Sequence, residues 1–377
     1  SGSRRQFDLA CDLDADVLLE NFRHLSGEWL ESLPTNKAVA DLLQQMSPEE
    51  LAQVAPSMVG KLLRARMLER HRLLDAYYTI AIDATGLFDS TKRHCPFCLT
   101  QEQGDRTTIY YHLVLEAKLI TPTGLAFSVA TEFVENTDPN ATKQDCELKA
   151  FPRLARKIKD RFGRLPICLL LDGLYANQGV FDLCAKYGWQ WITTFKEGSL
   201  PCAFAEFQTL KQMTPENTLL VEHDGIKQRL AWVARLEHAG HRFQAFECHT
   251  TNEKKQPQYF AWITSLPVSA KTVNELANQG GRQRWKIENQ GFNVQKNGDC
   301  QLEHVYSHHA IGAKNYYLLL QIAHILTQLV IHGRLRKVFQ ERIRSIRNYF
   351  RVLVEHMRNR LPQQEHLASI QIRLDSS

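Results

Sequence analysis

The sequence lacks any long apolar run. The longest near-continuous one, residues 316–330, is interrupted by Gln321, His324 and Gln328. A membrane-spanning helix needs about 20 consecutive apolar residues, so we expect no contact with a membrane. No secretory signal is seen at the start of the chain either, and the two absences together predict a cytoplasmic protein.

The sequence also lacks the cysteine pattern of a disulfide-stapled domain. Its nine cysteines are an odd number and are scattered over 377 residues. Small disulfide-rich domains have dense cysteines in even number, so this pattern excludes that class and indicates a reducing compartment. One pair differs from the others, because Cys95 and Cys98 are spaced like two ligands of one metal ion.

Internal repeats and low-complexity tracts are missing as well, but the charge is unevenly distributed. The net charge is +5, yet residues 305–377 carry eleven Lys and Arg against four Asp and Glu. Residues 1–80 carry nine against twelve. A basic helical face is a candidate phosphate-binding surface, here with Arg342, Arg344 and Arg347, although a solvated helix face explains the same composition.

The hydrophobic pattern divides the chain into five regions. Residues 1–75 have the pattern of helices, and residues 76–199 that of three strands followed by helix, strand, helix and strand. Residues 200–268 alternate in short runs separated by turns, which predicts a β-rich insertion. Helix resumes in residues 269–330, and residues 331–377 form a basic C-terminal helix. We predict an α/β fold with a ribonuclease-H-like core, a mixed sheet with flanking helices, and helical N- and C-terminal regions.

Two aspartates follow hydrophobic strands of the predicted core. Residues 77–82 form a β-rich run that ends at Asp83, and the continuous apolar run 165–171 ends at Asp172. The ends of such strands meet at a crevice where α/β proteins place their sites. An Asp after a strand can also serve only as a turn former, but the pair in this fold order favours a site.

Glu288, on a predicted helix, supplies a third carboxylate. Arg284 precedes it by four residues, so the two share a helix face, and an intrahelical salt bridge is the simpler explanation of that spacing. Three carboxylates from different elements can hold two Mg²⁺ or Mn²⁺ ions about 4 Å apart, which activate an attacking oxygen and stabilise a leaving one. The helix containing Glu288 therefore completes a candidate two-metal site.

Three short motifs resemble those of a known family. They are Ala81-Ile82-Asp83-Ala84-Thr85-Gly86, Leu171-Asp172-Gly173 and Arg284-Trp285-Lys286-Ile287-Glu288. These resemble the three acidic motifs of the Tn5-like group of IS4-type DDE transposases. The resemblance covers about 77–330, is strongest over 259–296, and includes the β-rich insertion. The family pattern has a Tyr three residues before the Arg and a Lys seven residues after the Glu, where this chain has Gly281 and Gln295.

The resemblance implies a DNA transposase that cleaves strands at transposon ends and transfers them into target DNA. Asp83, Asp172 and Glu288 would be its catalytic metal ligands, for two Mg²⁺ or Mn²⁺ ions. Its partner would be double-stranded DNA, bound by a homodimer, in a prokaryotic cytoplasm and on chromosomal DNA. The residues expected to contact DNA are Trp262, Arg284, Lys286, Lys296, Arg342, Arg344 and Arg347.

Two rival functions remain open at this point. A nuclease with the same core would hydrolyse DNA without joining strands, and a non-catalytic descendant would only bind DNA. The intact carboxylates Asp83, Asp172 and Glu288 argue against the second alternative. The helical region 1–75 is a candidate for recognising a transposon end.

The loop between the first two predicted strands holds a candidate zinc site. Two thiolates at the spacing of Cys95 and Cys98 are half of a tetrahedral zinc site. His94, His112 and Cys146 are the available completions. The alternative is a surface loop with two free thiols. A zinc ion here would be structural, stapling the loop without taking part in the chemistry.

Overall fold

A computed structural model describes residues 8–9, 12–92, 94–104, 107–137, 143–251, 256–298, 300, 302–303, 306–333 and 339–360. The chain forms two compact units, one of residues 1–55 with 293–377 and the other of residues 56–292. Part of the predicted C-terminal helix, residues 361–377, lies outside the described residues. Within the described ranges, no helix is both long and apolar enough to cross a membrane.

The unit of residues 56–292 is built on one mixed sheet, with ten strands among the described residues. The strands are β1 (Tyr78–Ser90), β2 (Leu99–Glu102), β3 (Thr108–Ile120), β4 (Ala126–Val134), β5 (Ile167–Leu171), β6 (Gln190–Thr194), β7 (Thr218–His223), β8 (Ile226–His238), β9 (His241–Thr251) and β10 (Pro257–Thr264). Their order across the sheet is β2-β3-β1-β5-β6-β10-β9-β8-β7, and β4 pairs with β3.

The described α-helices are α1 (Ala15–Ser26), α2 (Asn36–Gln45), α3 (Pro48–Leu51), α4 (Val54–Arg64), α5 (Glu147–Phe162), α6 (Gln178–Tyr187), α7 (Pro201–Met213), α8 (Val273–Glu275), α9 (Asn293–Asn297), α10 (Ala310–Ile331) and α11 (Ile346–Asn359). Ser47 begins α3 by accepting a hydrogen bond from the amide of Glu50, with Pro48 in the first turn.

The predicted order of strands and helices in the core is confirmed, with one additional short strand, β2, that the sequence analysis did not predict. Strands β1, β3 and β4 form an antiparallel meander, while β5 and β6 join β1 in parallel. Helix α5 leads into β5 and α6 leads into β6, as parallel strands require a crossover connection. All five residues of β5 are buried, which explains its unbroken apolar sequence. The result is a mixed α/β fold with flanking helices, compatible with a ribonuclease-H-like fold.

The β-rich segment predicted over 200–268 contains strands β7 to β10. Strand β10 pairs antiparallel with both β6 and β9, so the segment extends the core sheet. It begins with helix α7, which the sequence analysis did not predict. The hydrophobic core of this unit includes Trp232, Phe246 and Trp262.

The other unit, residues 1–55 with 293–377, is helical in its described parts. Helix α10 packs against α2 and α3, and α11 packs against α1. The fully buried Asn315 of α10 donates to the backbone oxygens of Leu43 and Met46 at 2.8 and 2.9 Å, which satisfies carbonyl groups at the end of α2.

Candidate active site and nearby zinc-ligand cluster

The sheet register brings Asp83 and Asp172 together. Parallel pairing between β1 and β5 ends at Ala81 and Leu170, and each aspartate lies two residues beyond that last pair. Asp172 is close enough to Asp83 to help raise the pKa of that carboxyl. The two aspartates therefore lie near each other where the parallel strands end, which is the usual place for a site in such sheets.

Strand β1 does not end at Asp83 as the sequence predicted. It continues to Ser90, and beyond Asp83 it remains paired with β3 in antiparallel register. Asp83 therefore lies where the pairing of β1 with β5 stops. Asp172 does follow the end of its strand, and its Oδ1 accepts a hydrogen bond from the amide of Leu174 at 2.9 Å.

The Asp83 carboxyl is held in a partly dry environment. Burial raises its pKa, while the guanidinium of Arg284 and a hydrogen bond from the amide of Ala84 act in the opposite direction. Arg284 Nη1 lies 3.1 Å from Asp83 Oδ2, and each side chain is 23% exposed. A carboxylate in this position is accessible to a small cation and is poorly hydrated without one.

Glu147 is a neighbouring carboxylate that the sequence analysis missed. It is the first residue of α5, and its Oε1 accepts a hydrogen bond of 2.5 Å from the hydroxyl of the buried Tyr175. Burial raises the pKa of Glu147, and the charges of Asp172 and Asp83 raise it further. An acid in the first turn of a helix looks like an ordinary helix-stabilising residue, so only the tertiary structure reveals its neighbours.

Glu288 does not converge with the two aspartates in this structure. Its side chain is exposed on the π-helical turn Ile287–Phe292, which packs on β1, β3 and β4. Among the described residues, Asp83, Asp172 and Glu288 do not form a group whose ligand atoms all lie within 4.8 Å of one another. The backbone here is helical, as predicted, but its local winding differs from that of a regular α-helix.

That winding also corrects the predicted relation between Arg284 and Glu288. The segment runs through a 3-10 turn at Gly281–Gln283, a turn at 284–285 and the π-helical turn. The four-residue spacing of an α-helix therefore does not place the two side chains on one face. Among the described residues, Arg284 instead forms an ion pair with Asp83.

Gly281 occupies the position where the family pattern has a Tyr. A Cβ atom there would lie 2.4 Å from Nε1 of Trp262, so the indole fills the space that a side chain would need. Trp262 is only 3% exposed and stacks on Phe246 and Phe260. The sequence predicted a DNA contact for Trp262, but its burial gives it a packing role beneath this turn.

A pocket of about 740 Å³ opens beside Arg284. Arg284, Arg282 and Lys196 supply cationic groups to its wall. Arg282 lies 4.7 Å from the ring centre of Phe260. Trp285 is 47% exposed and Tyr259 is 44% exposed. These two present more exposed aromatic surface than Trp262, which also lines the pocket but is only 3% exposed.

Two lysines predicted to contact DNA have partners within the protein. Lys286 donates to the backbone oxygens of Thr121 and Pro122 at 3.2 and 2.5 Å, which ties it to the turn between β3 and β4. Lys296 forms a 2.8 Å ion pair with Glu303. In this structure Lys286 has the role of a tether.

The three arginines predicted as a basic surface belong to the helical unit. Arg342, Arg344 and Arg347 are all exposed. Arg344 donates from Nε to the backbone oxygen of Glu341, and Arg347 lies in the first turn of α11. Their exposure agrees equally with a solvated helix face and with the predicted phosphate-binding surface.

Cys95, Cys98 and His112 form the group of three metal-binding side chains found among the described residues. His94 and Cys146, two other predicted zinc ligands, lie outside this group. The ring of His94 stacks on Tyr110 with 4.4 Å between centres. Cys146 is exposed at the residue preceding α5.

Comparisons with known proteins do not identify a family. No family model and no curated protein matches the chain. Among solved structures, the chain is similar to Kluyveromyces polysporus Argonaute with a guide RNA, at a TM-score of 0.25 and 8% identity. The match covers 84% of this chain and 49% of the Argonaute chain, so this chain spans about half of its length. A likeness this weak carries no argument, and membership of the IS4-type transposases stays a prediction.

Proposed function

We propose that this protein is a DDE-type transposase, a metal-dependent enzyme that cuts DNA strands at transposon ends and joins them to target DNA. Its catalytic core would have the ribonuclease-H-like fold. The observation that carries the proposal is the position of Asp83 and Asp172, each two residues beyond the last paired residues of the parallel strands β1 and β5. The resemblance of the sequence around these residues to IS4-type acidic motifs supports the same function.

The donor chemistry at this position fits a hard divalent cation. Asp83 and Asp172 offer carboxylate oxygens, which Mg²⁺ and Mn²⁺ prefer. These two residues would hold the metal, with Glu288 as the third ligand by resemblance. A bound metal pair would supply activation of the attacking oxygen and stabilisation of the leaving oxygen.

Glu147 also fits this acidic site. Burial and the charges of Asp172 and Asp83 raise its pKa, and its hydrogen bond from Tyr175 restricts where its carboxyl can point. Three carboxylates near one another repel unless cations lie among them. Arg284 supplies one positive charge to Asp83, and a divalent cation would compensate the remainder.

Arg284 would position the DNA strand. Its planar guanidinium can bind two phosphate oxygens at once, a geometry that lysine does not offer. In the DNA-free chain it neutralises Asp83, and a phosphate next to the metal site would compete for the same guanidinium. The pocket beside it combines Arg282 and Lys196 with exposed Trp285, a mixture that suits the phosphates and bases of an unpaired strand.

The proposal is tested by strand cleavage and joining. The substrate is a labelled duplex from the genomic DNA that flanks the coding sequence, with supercoiled plasmid as target. The full chain should cut and join in Mg²⁺ and fail in EDTA, while Asp83→Asn and Asp172→Asn should fail in both. Asp160→Asn, an exposed acid on α5, is the matched control and should behave like the wild type.

The outcomes separate the three candidate functions. Cutting without joined products would support the nuclease, and binding of the duplex without either reaction would support the non-catalytic descendant. Full activity of Asp83→Asn or Asp172→Asn would remove the carboxylate pair from the site and overturn the proposal.

A further inference from the structure

Cys95, Cys98 and His112 bring three metal-binding atoms to one point. The two Sγ atoms are 3.6 Å apart, and Nε2 of His112 lies 3.2 Å from the sulfur of Cys95 and 3.3 Å from that of Cys98. The cysteines come from the loop before β2, and the histidine comes from the middle of β3. Residues 14 and 17 positions apart in sequence therefore form a nearly equilateral triangle.

This triangle has the dimensions of one face of a zinc tetrahedron. With Zn–S bonds of about 2.3 Å and Zn–N bonds of about 2.0–2.1 Å, tetrahedral angles place two sulfurs about 3.8 Å apart and sulfur and nitrogen about 3.6 Å apart. The three separations lie within about 0.4 Å of those values.

Other uses of these atoms fit less well. A disulfide would place the sulfurs about 2.05 Å apart, far closer than the 3.6 Å between Cys95 and Cys98. A hydrogen bond would direct one N–H of His112 at one sulfur, whereas Nε2 is nearly equidistant from both. The amide of Cys95 donates to Sγ of Cys98 at 3.3 Å, the kind of outer hydrogen bond that orients a metal-bound thiolate.

We propose that Cys95, Cys98 and His112 bind a structural zinc ion. The ion would bind the loop to β3 in a chain that, in its described residues, offers no other such group. This proposal does not depend on the function proposed above.

Hydrogen bonds connect this cluster to the start of α5. The side chain of Asn136 donates to the backbone oxygen of Cys98 at 2.9 Å, and its own oxygen accepts from the amide of Asp145 at 3.0 Å. Asp145 lies two residues before Glu147, whose pKa is raised by burial and by the charges of Asp172 and Asp83. Zinc would therefore hold the loop and, through Asn136, the segment that positions the first turn of α5.

The test is the metal content of the full chain purified without added zinc. Inductively coupled plasma mass spectrometry should find about one zinc per chain in the wild type if Cys95, Cys98 and His112 hold the ion. Cys95→Ser and His112→Asn should lose it, and His112→Cys, which keeps a ligand, should retain it. Cys146→Ser and Cys202→Ser change exposed cysteines outside the cluster and should keep the zinc.

Cobalt provides a readout that does not require any variant to fold. Wild-type protein grown with Co²⁺ should show thiolate-to-cobalt charge-transfer absorption together with the visible bands of a tetrahedral ion. Folded, zinc-free wild type without that spectrum would overturn the proposal, and so would a disulfide between Cys95 and Cys98 in the purified protein. Zinc retained by both Cys95→Ser and His112→Asn, or lost from Cys146→Ser, would refute this ligand set.

Discussion

Arg284 donates a hydrogen bond of 3.1 Å from Nη1 to Oδ2 of Asp83, a residue 201 positions earlier in the sequence. The bond joins the glycine-containing turn before Glu288 to the strand that carries the first aspartate. Both side chains are partly exposed, so the pair can open when a competing anion or cation arrives. This pairing gives Arg284 two roles to be separated, neutralising Asp83 and binding a phosphate.

Replacing Arg284 should impair strand cleavage and joining while the fold persists. Arg284→Lys keeps the charge but loses the planar guanidinium. We expect the rate of cleavage and joining to fall on the order of 10-fold or more, because each lost interaction of about 1.4 kcal/mol in the transition state lowers the rate about 10-fold. Arg284→Ala should lose more and retain Mn²⁺ binding, measured by calorimetry beside the cleavage assay. Arg164→Ala, an exposed arginine before β5, is the control. Wild-type activity of Arg284→Ala would leave Arg284 with a purely structural pairing.

A side chain at position 281, three residues before Arg284, should destabilise the protein. A Cβ would overlap the rigid indole of Trp262, so Gly281→Ala should lower the free energy of unfolding by about 1–3 kcal/mol. Trp262→Phe in the same chain should reduce that added cost, since the smaller ring leaves room. Gly198→Ala introduces a methyl into open space and is the control. Urea unfolding compares the wild type, the two single variants, the double variant and Gly198→Ala. Additive losses in the double variant would show that the two residues do not compete for space.

Lys286 should make stability depend on pH at alkaline values. Burial lowers its pKa from 10.5 to about 8, so between these values the unfolded chain holds a proton that the folded chain has released. The contribution of Lys286 to the free energy of unfolding should therefore rise as the pH increases from about 8 to about 10.5. Lys286→Met should remove that part of the rise in thermal unfolding, relative to the exposed control Lys196→Met. If Lys286→Met and the wild type had the same pH profile of stability, Lys286 would not contribute to the pH dependence.

Much of this arrangement follows from local sequence, and the exceptions have physical causes. The apolar run before Asp172 predicts its strand, because a strand buried on both faces needs unbroken hydrophobicity. The extension of β1 past Asp83 was missed, since residues there pair with distant β3 and show no strong local pattern. The close packing of Gly281 on Trp262 links residues from separate parts of the sequence, which helix periodicity does not reveal.

The zinc cluster and Glu147 show the same difference between features that local sequence predicts and features that only the tertiary structure reveals. The spacing of Cys95 and Cys98 was visible in sequence, but the choice of His112 over His94 depends on the register of β2 with β3, which pairs Leu99 with Tyr111. Glu147 gave no signal, because its surroundings, the hydroxyl of buried Tyr175 and the nearby charge of Asp172, come from other parts of the chain. Side chains that meet only through sheet pairing are beyond what a local pattern can identify.

Glu147 should contribute to metal binding at the aspartate pair. Glu147→Gln should weaken Mn²⁺ binding by roughly 10- to 100-fold, the usual effect of residues that ligate or orient metal ligands. Tyr175→Phe removes the hydroxyl that holds Glu147 and should weaken binding less. Glu206→Gln, on exposed surface of α7, is the control. Equal Mn²⁺ affinity in Glu147→Gln and the wild type would exclude Glu147 from the site.

The most direct test of the central claim is a change of metal preference at Asp172. Thiolate binds Mg²⁺ poorly but accepts softer divalent ions, so Asp172→Cys should abolish strand cleavage in Mg²⁺ and recover part of it in Mn²⁺. Asp172→Ala is the control and should be inactive in both. That pattern is the result expected if Asp172 ligates the catalytic metal. Cleavage by Asp172→Cys at the wild-type rate in Mg²⁺ would contradict the account.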